Sequence, residues 1–568
     1  MHSDRLSRPS REVLWQHWEE QAHKAPEREA VIHWVAGQEP YRWHWGPLVD
    51  KALHVAFRLQ EAGVTQGDVC ALILRHHKDF YPIYMGVCAL GALPAVLAYP
   101  NARLHPDKFQ QGIQGMARHS GLDWILTENS LESLLRPLIY GNYSTIKGLL
   151  FPTIWSEESC SALSFLRRPQ ILSESPCLLQ HSSGTTGLQK AVVLSHRAIL
   201  DHVQHYGTAI GLQANDKVVS WLPLYHDMGL IAAFYLPLTH GIPVVCVDPF
   251  EWVMAPILLL EALSLEHGTL TWMPNFAYNL MADRIHEEDL SAIRLDRVRM
   301  FINCSEPVRA ESHEKFLHRF APYGLKREAL GACYAMAETT FAVTQTPAGH
   351  EATTLFVDRE KLAQGTVHLT HEHDRARSCV SSGLPITGCR VRIIDPAGLD
   401  LPDDCVGEIA IQSVSLFNGY HNNPERTFEV LRDSWYFSGD YGFRHEGQYY
   451  IIGRKKDIII VAGKNIYPED IEDIVSQVAG VLPGRVVAFG LEDQRAGTEQ
   501  ICVIAETNVE SDTQKKQLQL AIREAGMHID LTIARVYLVA PRWLIKSSAG
   551  KPSRQANRER ALASFSQY

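Results

Sequence analysis

Apolar segments of strand length alternate with helical segments through the first half of the chain. Apolar residues recur at helical spacing over 46–63, an apolar run follows at 69–74, and 79–90 is helical again. The same alternation recurs at 124–126, 191–194, 217–220 and 243–247. Because each of these runs precedes a helical segment, we expect largely parallel sheets with helices on both faces. The pattern predicts an α/β fold with doubly wound sheets.

The pattern changes beyond residue 390. Runs of alternating apolar and polar residues at 391–394, 407–412 and 449–452 are typical of antiparallel strands and indicate a β subdomain. A new unit then begins, with a strand at 458–461 and a helix at 468–475. We therefore predict a large N-terminal domain, residues 1–453, and a small α+β C-terminal domain, residues 454–568.

Composition narrows the class of protein. A chain of 568 residues is too long for one hydrophobic core. Its net charge of -10 argues against a nucleic-acid partner, which usually requires a basic face. The 11 cysteines contain no C-x-x-C pair, which fits a reducing cytoplasm and no disulfide framework. The most apolar windows, 85–100 and 228–247, contain prolines, so no membrane span is expected.

Residues 181–190, His-Ser-Ser-Gly-Thr-Thr-Gly-Leu-Gln-Lys, are the most informative stretch. Hydroxyls, glycine backbone and a terminal lysine can all face one polyphosphate; these residues are Ser182, Ser183, Gly184, Thr185, Thr186, Gly187 and Lys190. The glycines are three apart and no Ser or Thr follows Lys190, so a Walker A loop is not indicated. A polar surface loop is the alternative when the stretch is taken alone.

Four further residues suggest ligand binding. His226, in an otherwise apolar stretch, can line a carboxylate pocket, or it can be a core histidine bonded to backbone. Tyr334 offers a ring on which a purine can stack, and Glu338 is a hard oxygen ligand suited to Mg²⁺. Asp440 follows a glycine turn and can accept hydrogen bonds from ribose hydroxyls.

In this order, these stretches resemble the adenylate-forming superfamily of acyl- and aryl-CoA synthetases, peptide-synthetase adenylation domains and firefly luciferase. The resemblance runs from about residue 12 to 554. The stretches 221–230, 303–308, 357–362 and 465–472 look most like the fatty acyl-AMP ligase branch. Members of that branch carry an insertion after 357–362 and pass acyl groups to carrier proteins. Residues 363–377 of this chain match the insertion poorly.

The resemblance implies specific roles in binding ATP and Mg²⁺. The hydroxyls of the 181–190 stretch and Lys190 would hold the β- and γ-phosphates, and Glu338 would hold Mg²⁺. Tyr334 would cover the adenine, and Asp440 with Arg454 would fix the ribose. Ser305 and Glu306, after the strand 299–303, complete the predicted nucleotide site. The predicted catalytic residues are Lys551, Glu338 and His226, with Lys551 reaching the substrate carboxylate and the α-phosphate from the small domain.

The predicted acyl pocket contains Asp227, Trp272, Met273 and Phe276. Trp272 and Met273 are bulkier than the small residues expected there, so we predict a preference for short or medium acids. Lys456 is the predicted hinge, because one active site must first receive Lys551 and later admit a thiol.

The leading function is ATP-dependent formation of acyl-AMP from a fatty or related acid, followed by transfer to the phosphopantetheine of an acyl carrier protein. Free coenzyme A is the alternative acceptor. An amino-acid-activating domain is a third hypothesis, because Asp227 lies where such domains bind the substrate ammonium. A non-enzymatic adenylate-binding scaffold is the fourth, although it would need none of Lys190, Glu338, Asp440 and Lys551.

Overall fold

Helices and strands alternate through the first half of the chain, as the hydrophobic pattern predicts. The computed structural model describes residues 12–100, 106–140, 145–155, 160–181, 190–372, 375–461, 464–493, 498–546 and 552–565. Its helices are α1 Leu14–Lys24, α2 Trp45–Glu61, α3 Phe80–Ala89, α4 Pro106–Ser120, α5 Glu132–Leu135, α6 His196–Ala209, α7 Leu236–Thr239, α8 Pro249–Met254, α9 Ile257–Leu265, α10 Asn275–Arg284, α11 Ala310–Phe320, α12 Arg359–Ala363, α13 Pro424–Val430, α14 Pro468–Ser476, α15 Asp512–Met527 and α16 Arg554–Phe565. A π-helical segment, Met228–Tyr235, precedes α7.

The strands form two large sheets in the first half of the chain and antiparallel or mixed sheets in the second. They are β1 Glu29–Trp34, β2 Tyr41–His44, β3 Val69–Ile73, β4 Leu93–Val96, β5 Trp124–Thr127, β6 Gly148–Leu150, β7 Pro176–His181, β8 Ala191–Ser195, β9 Val218–Ser220, β10 Val244–Val247, β11 Leu270–Met273, β12 Met300–Asn303, β13 Leu330–Ala335, β14 Ala342–Gln345, β15 Thr354–Asp358, β16 Ala376–Val380, β17 Leu384–Pro385, β18 Cys389–Ile394, β19 Gly407–Ser413, β20 Gly419–Tyr420, β21 Leu431–Arg432, β22 Trp435–His445, β23 Gln448–Arg454, β24 Ile459–Val461, β25 Lys464–Ile466, β26 Val481–Asp493, β27 Thr498–Thr507 and β28 Ile533–Val539.

The nine-stranded sheet has the order β17-β14-β13-β12-β11-β9-β10-β1-β2, with parallel pairing from β13 to β1 and antiparallel strands at both edges. A second sheet, β4-β3-β5-β6, is parallel throughout. The central strands are buried on both faces, which explains their continuous apolar runs. The predicted α/β architecture is confirmed.

One strand differs from the predicted pattern. The run 191–194 does become a strand, β8, but it pairs antiparallel with β7 and β20 in a separate three-stranded sheet. The connection between β7 and β8 spans only 182–190, whereas a parallel crossover needs roughly a dozen residues or more. The predicted phosphate-binding stretch therefore joins two antiparallel strands and does not lie between βα units.

The predicted β subdomain is a five-stranded antiparallel sheet, β18-β19-β22-β21 with β23 beside β22. The segment from β15 to β16 packs against it through Val357, Leu362 and Cys379, which form one buried cluster with Phe443 and Tyr450. This places the region of the predicted insertion on the β subdomain.

The C-terminal part is α+β, as predicted. Its sheet, β26-β27-β28, packs with α14, α15 and α16 around two hydrophobic clusters. The buried members of these clusters all lie between Ile459 and Ala561. The division at residue 454 stays a prediction. No described helix combines the length and apolar character needed to cross a membrane.

Candidate active site

Three residues predicted to hold the nucleotide come together where the nine-stranded sheet meets the β subdomain. Tyr334 lies in β13, Asp440 in β22, and Arg454 ends β23, where strand pairing sets it opposite Asp440. The Tyr334 hydroxyl donates to Asp440 Oδ2 at 2.7 Å, and Arg454 Nε lies 3.3 Å from Asp440 Oδ1. The Asp440 charge raises the pKa of Arg454. A carboxylate fixed in this way is suited to accept hydrogen bonds from sugar hydroxyls.

A second group surrounds Lys190, the first described residue after the phosphate-binding stretch. Its Nζ lies 4.9 Å from the centre of the Tyr420 ring, and the Tyr420 hydroxyl donates to Glu338 Oε1 at 2.7 Å. Burial lowers the pKa of Lys190, and the charges of Arg426 and Lys456 lower it further, while Glu338 opposes them. Converging cations that disfavour each other's charge are stabilised by a bound anion. This group is therefore suited to phosphate.

Two turns beside these groups have unusual backbone conformations. Ser305, after β12, has φ +70° and Thr340, after the turn that carries Glu338, has φ +67°. Residues with a Cβ adopt positive φ uncommonly, and such strain clusters at functional sites. The Thr340 hydroxyl donates to the Ser415 carbonyl at 2.8 Å and helps to fix its turn.

The Glu306 side chain, from the turn after β12, reaches the N-terminal end of helix α10. Its Oε2 accepts from the Phe276 amide at 3.0 Å, at the N-terminal end of α10. A carboxylate is stabilised there by the helix dipole and by an amide that has no intrahelical partner. Glu306 thus has a structural role in this arrangement. The nucleotide-binding role of Ser305 and Glu306 stays a prediction.

His226 and Asp227 lie between β9 and the π-helical segment. The His226 ring is 4.7 Å from the Tyr225 ring. Asp227 is the N-cap of Met228–Tyr235, and its Oδ1 accepts from the Met228 amide at 2.8 Å. Capping accounts for an aspartate at this position without an ammonium ligand. The structure therefore adds no support to the amino-acid-activating hypothesis.

The predicted acyl-pocket residues do not all face one way. Trp272 and Met273 are consecutive in β11 and both fully buried, so their side chains lie on opposite faces of the sheet. Trp272 Nε1 donates to the Tyr206 hydroxyl at 2.7 Å. Phe276 is 38% exposed and packs edge-on against Trp221 at 6.2 Å. Trp272 and Met273 cannot line the same side of a tunnel.

A cavity of about 80 Å³ lies beside the segment that ends in His226. Leu222, Pro223 and Cys246 contribute apolar surface, and Arg75 and His77 contribute basic groups. Its lining is therefore mainly apolar, with basic side chains in one part.

The predicted hinge lies between two oppositely anchored neighbours. Lys456 is the central residue of a 3₁₀ turn, Lys455–Asp457. Lys455 Nζ donates to Glu408 in the β subdomain at 2.7 Å, whereas Asp457 Oδ2 accepts from Arg554 in the C-terminal part at 2.9 Å. One residue therefore separates a contact to the large domain from a contact to the small domain. That arrangement is expected of a pivot.

Seven predicted site residues lie outside the described residues. They are Ser182, Ser183, Gly184, Thr185, Thr186, Gly187 and Lys551. The residues on either side of 547–551 are described: Lys546 and Pro552 form an antiparallel bridge.

Sequence reasoning did not identify Tyr420 or Arg426. Gly419, which has φ +131°, is a local signal for a tight backbone turn before Tyr420. No periodicity or motif indicates that the Tyr420 hydroxyl reaches Glu338, which lies 82 residues earlier.

Comparisons with known proteins agree with this geometry. A sequence model described as "AMP-binding enzyme" matches residues 18–421. The chain is 30% identical over 556 residues, 92% of each chain, to a probable long-chain-fatty-acid–AMP ligase, FadD30, of Mycobacterium tuberculosis. It is 30% identical to a medium-chain-fatty-acid–[acyl-carrier-protein] ligase, JamA, of Moorena producens, over 91% of this chain and 89% of JamA.

Solved structures show the same architecture. One from a study of fatty acyl-adenylate ligases from E. coli and L. pneumophila superimposes with a TM-score of 0.88. The superposition covers 99% of this chain and 98% of the other, at 25% sequence identity. The likeness thus extends over both the α/β part and the C-terminal part.

We predict that Trp272→Gly moves acid preference toward longer chains, because each methylene newly accommodated gains about 0.8 kcal/mol of burial. Pyrophosphate release across a chain-length series measures this. Loss of a buried tryptophan costs about 3–5 kcal/mol of stability, so thermal unfolding is recorded in parallel. Trp272→Phe, which keeps most of the ring volume, is the control. An unaltered profile in folded Trp272→Gly would show that Trp272 lies off the acyl path.

We also predict that Lys456→Pro separates the two half-reactions, because proline fixes φ and removes an amide donor at the pivot. Acyl-AMP formation near the parental rate with slow transfer is expected, or the reverse if proline favours the other pose. Lys456→Ala, which removes the charge and keeps φ free, is the control. Equal losses in both half-reactions would contradict the hinge.

Proposed function

Because the chain belongs to the AMP-binding enzyme family, we propose that it activates a fatty or related carboxylic acid as acyl-AMP and passes the acyl group to an acyl carrier protein. The observation that carries the proposal is the adjacency of two groups: Asp440 held by Tyr334 and Arg454, and the cations around Lys190 next to Glu338. The resemblance to adenylate-forming enzymes predicted from the motifs is confirmed.

The relatives support both half-reactions. FadD30 is named for ligation of a long-chain fatty acid to AMP, and JamA for ligation of a medium-chain fatty acid to an acyl carrier protein. Both align over about nine-tenths of this chain. The chain length of the acid differs between them and is left to experiment.

In the first half-reaction, a carboxylate oxygen attacks the α-phosphorus of ATP. An O–P bond forms, the bond to the β-phosphate oxygen breaks, and pyrophosphate leaves. Asp440 and Arg454 hold the ribose while Lys190 holds the β- and γ-phosphates. Lys551 meets the charge that accumulates at the α-phosphate, where a fixed cation stabilises the transition state more than the ground state. In the second, a phosphopantetheine thiol displaces AMP and forms a thioester.

Glu338 is proposed to hold Mg²⁺. The residues fit this ion: a carboxylate oriented by the Tyr420 hydroxyl lies beside the group that faces phosphate. Glu338 would hold the ion, which would supply positive charge beside the nucleotide phosphates. The predicted cytoplasmic location stays a prediction.

The function is tested by pyrophosphate release across a panel of carboxylates, with a carrier protein bearing phosphopantetheine or free coenzyme A added in turn. A fatty acid should support pyrophosphate release, and the carrier protein should accept the acyl group faster than coenzyme A. Faster transfer to coenzyme A would establish the alternative acceptor. No release with any acid would overturn the proposal.

We predict that Glu338→Gln weakens Mg²⁺-dependent turnover and leaves the fold intact, because an amide is a poorer ligand for a hard cation. A titration of Mg²⁺ at saturating ATP measures the effect. Tyr420→Phe, which removes only the hydroxyl that orients Glu338, should cause a smaller shift in the same direction. Parental activity of Glu338→Gln at limiting Mg²⁺ would refute the assignment.

We predict that Lys551→Ala slows acyl-AMP formation by about 10²–10³, the usual effect of losing one preorganised charge at a developing oxyanion. Transfer from preformed acyl-AMP should be nearly unchanged. Lys546→Ala, at the base of the same segment, provides a comparison. Parental acyl-AMP formation by Lys551→Ala would exclude the role.

A further inference from the structure

Helix α14, Pro468–Ser476, carries four acidic residues on two of its faces. Asp470 and Asp473 are three residues apart, as are Glu469 and Glu472, so each pair shares one face. The helix lies between the large domain and the segment that contains Lys551. The partners of the two faces differ.

Asp470 faces Arg377 of β16, in the region of the predicted insertion. Arg377 Nε lies 3.0 Å from Asp470 Oδ1, with side chains 13% and 19% exposed. Arg377 also donates through Nη2 to the Ile452 carbonyl at 3.0 Å, and its guanidinium lies 4.9 Å from the centre of the Tyr467 ring. The Ile452 contact therefore holds the guanidinium on the large domain, and the Tyr467 and Asp470 contacts join it to α14.

Asp473 forms an ion pair with Arg309, which is the N-cap residue of α11. The Arg309 amide donates to Asn275 Oδ1 at 3.1 Å, and the same oxygen accepts from Asn303 Nδ2 at 3.0 Å. Asn303 ends β12, directly before the turn of Ser305. Arg309 is thus connected through buried hydrogen bonds to the predicted nucleotide site.

The other face of α14 binds Arg554, the first residue of α16. Arg554 Nη2 lies 2.7 Å from Glu472 Oε2, and Nη1 lies 2.8 Å from Glu469 Oε1. Arg554 follows Pro552 closely, and Pro552 bridges Lys546 at the base of 547–551. Helix α14 therefore connects the large domain to the base of the segment that carries Lys551.

Lys546, the described residue before 547–551, interacts electrostatically with a carboxylate of the large domain. Burial lowers the pKa of Lys546 to about 8, while the charges of Glu506 and Glu306 raise it. Glu306 belongs to the turn after β12, beside the predicted nucleotide site. The charge of a large-domain carboxylate therefore acts on the pKa of Lys546.

Ion pairs act together with one small shared cluster to position α14 against the large domain, because Tyr467, the N-cap residue of α14, is buried against Val357 and Tyr450. The buried members of the two C-terminal hydrophobic clusters all come from residues 459–561. Partly buried ion pairs require accurate geometry and contribute modest net stability. They therefore specify how the two parts are positioned and add little to the free energy of the arrangement. They can also open when the arrangement changes.

We propose that Arg309 and Arg377 are positioning residues that hold the small domain in the acyl-AMP-forming pose through Asp473 and Asp470, and that these contacts open before acyl transfer. The inference rests on the proposed function for its two half-reactions. The contacts themselves are independent of that function and are tested separately.

The test is a charge swap at the more exposed pair. Arg309→Asp and Asp473→Arg are each expected to slow acyl-AMP formation, by on the order of 10²-fold if Lys551 is displaced by about 1 Å. Transfer from preformed acyl-AMP should be unchanged or faster. The double variant Arg309→Asp, Asp473→Arg should recover acyl-AMP formation. Arg327→Asp is the matched control, because Arg327 pairs with Glu314 of α11 on the surface and does not contact α14.

Hydrogen exchange of α14 and α11 provides the readout that does not depend on activity. Either single variant should raise exchange in α14, and the double variant should restore it. Asp473→Asn, a milder change, gives the same comparison if a reversal fails to fold. Unchanged exchange in α14, equal loss in both half-reactions, or no recovery in a folded double variant would overturn the proposal. Parental protein that protects α14 but releases no pyrophosphate would refute the proposed function alone.

Discussion

The structure depends on one buried carboxylate. Asp440 is 8% exposed, and a charge at that depth requires partners that are already in place. Its partners come from different parts of the chain: Tyr334 from the nine-stranded sheet and Arg454 from the end of the β subdomain. The residue after Arg454 begins the turn that leads to the C-terminal domain. The same interaction therefore shapes the predicted ribose site and lies directly before the predicted hinge.

Charge around Lys190 provides a second constraint. Lys190, Arg426 and Lys456 all contribute positive potential, and Glu338 opposes them. Proteins usually disperse like charges, so a convergent set indicates where an anion binds. Lys456 belongs both to this set and to the predicted pivot. An anion bound at Lys190 would thereby be coupled electrostatically to the residue that we predict to be the hinge.

The sequence predicted the fold in outline because its signals are local. Apolar runs such as 69–74 and the change of pattern after 390 report which faces of a segment are buried, and the structure has strands there. Pairing is not local. The antiparallel arrangement of β8 depends on the short connection after β7 and on β20, more than 200 residues away, so the parallel assignment of that strand was wrong.

The site was predictable to the extent that motifs carry it. Asp440, Arg454 and Tyr334 were identified from separate stretches and meet in space. Tyr420 and the α14 contacts of Arg309 were not identified, because a tyrosine after a glycine and an arginine before a helix are common in loops. Only tertiary structure shows which carboxylate each one meets. Trp272 and Met273 point to opposite faces of the sheet because they are consecutive in a strand. The size of their side chains does not indicate this.

The two acidic faces of helix α14 affect whether the C-terminal domain can be exchanged between related proteins. Its Glu469 and Glu472 contact Arg554, which lies within the C-terminal part. Asp470 and Asp473 instead contact Arg377 and Arg309, which precede residue 454. A C-terminal domain exchanged between members of the family would carry the two α14 positions. It would meet the residues that the other member has in place of Arg309 and Arg377. Whether such a chimera functions would then depend on two positions of α14 and two arginines of the host more than on overall sequence identity.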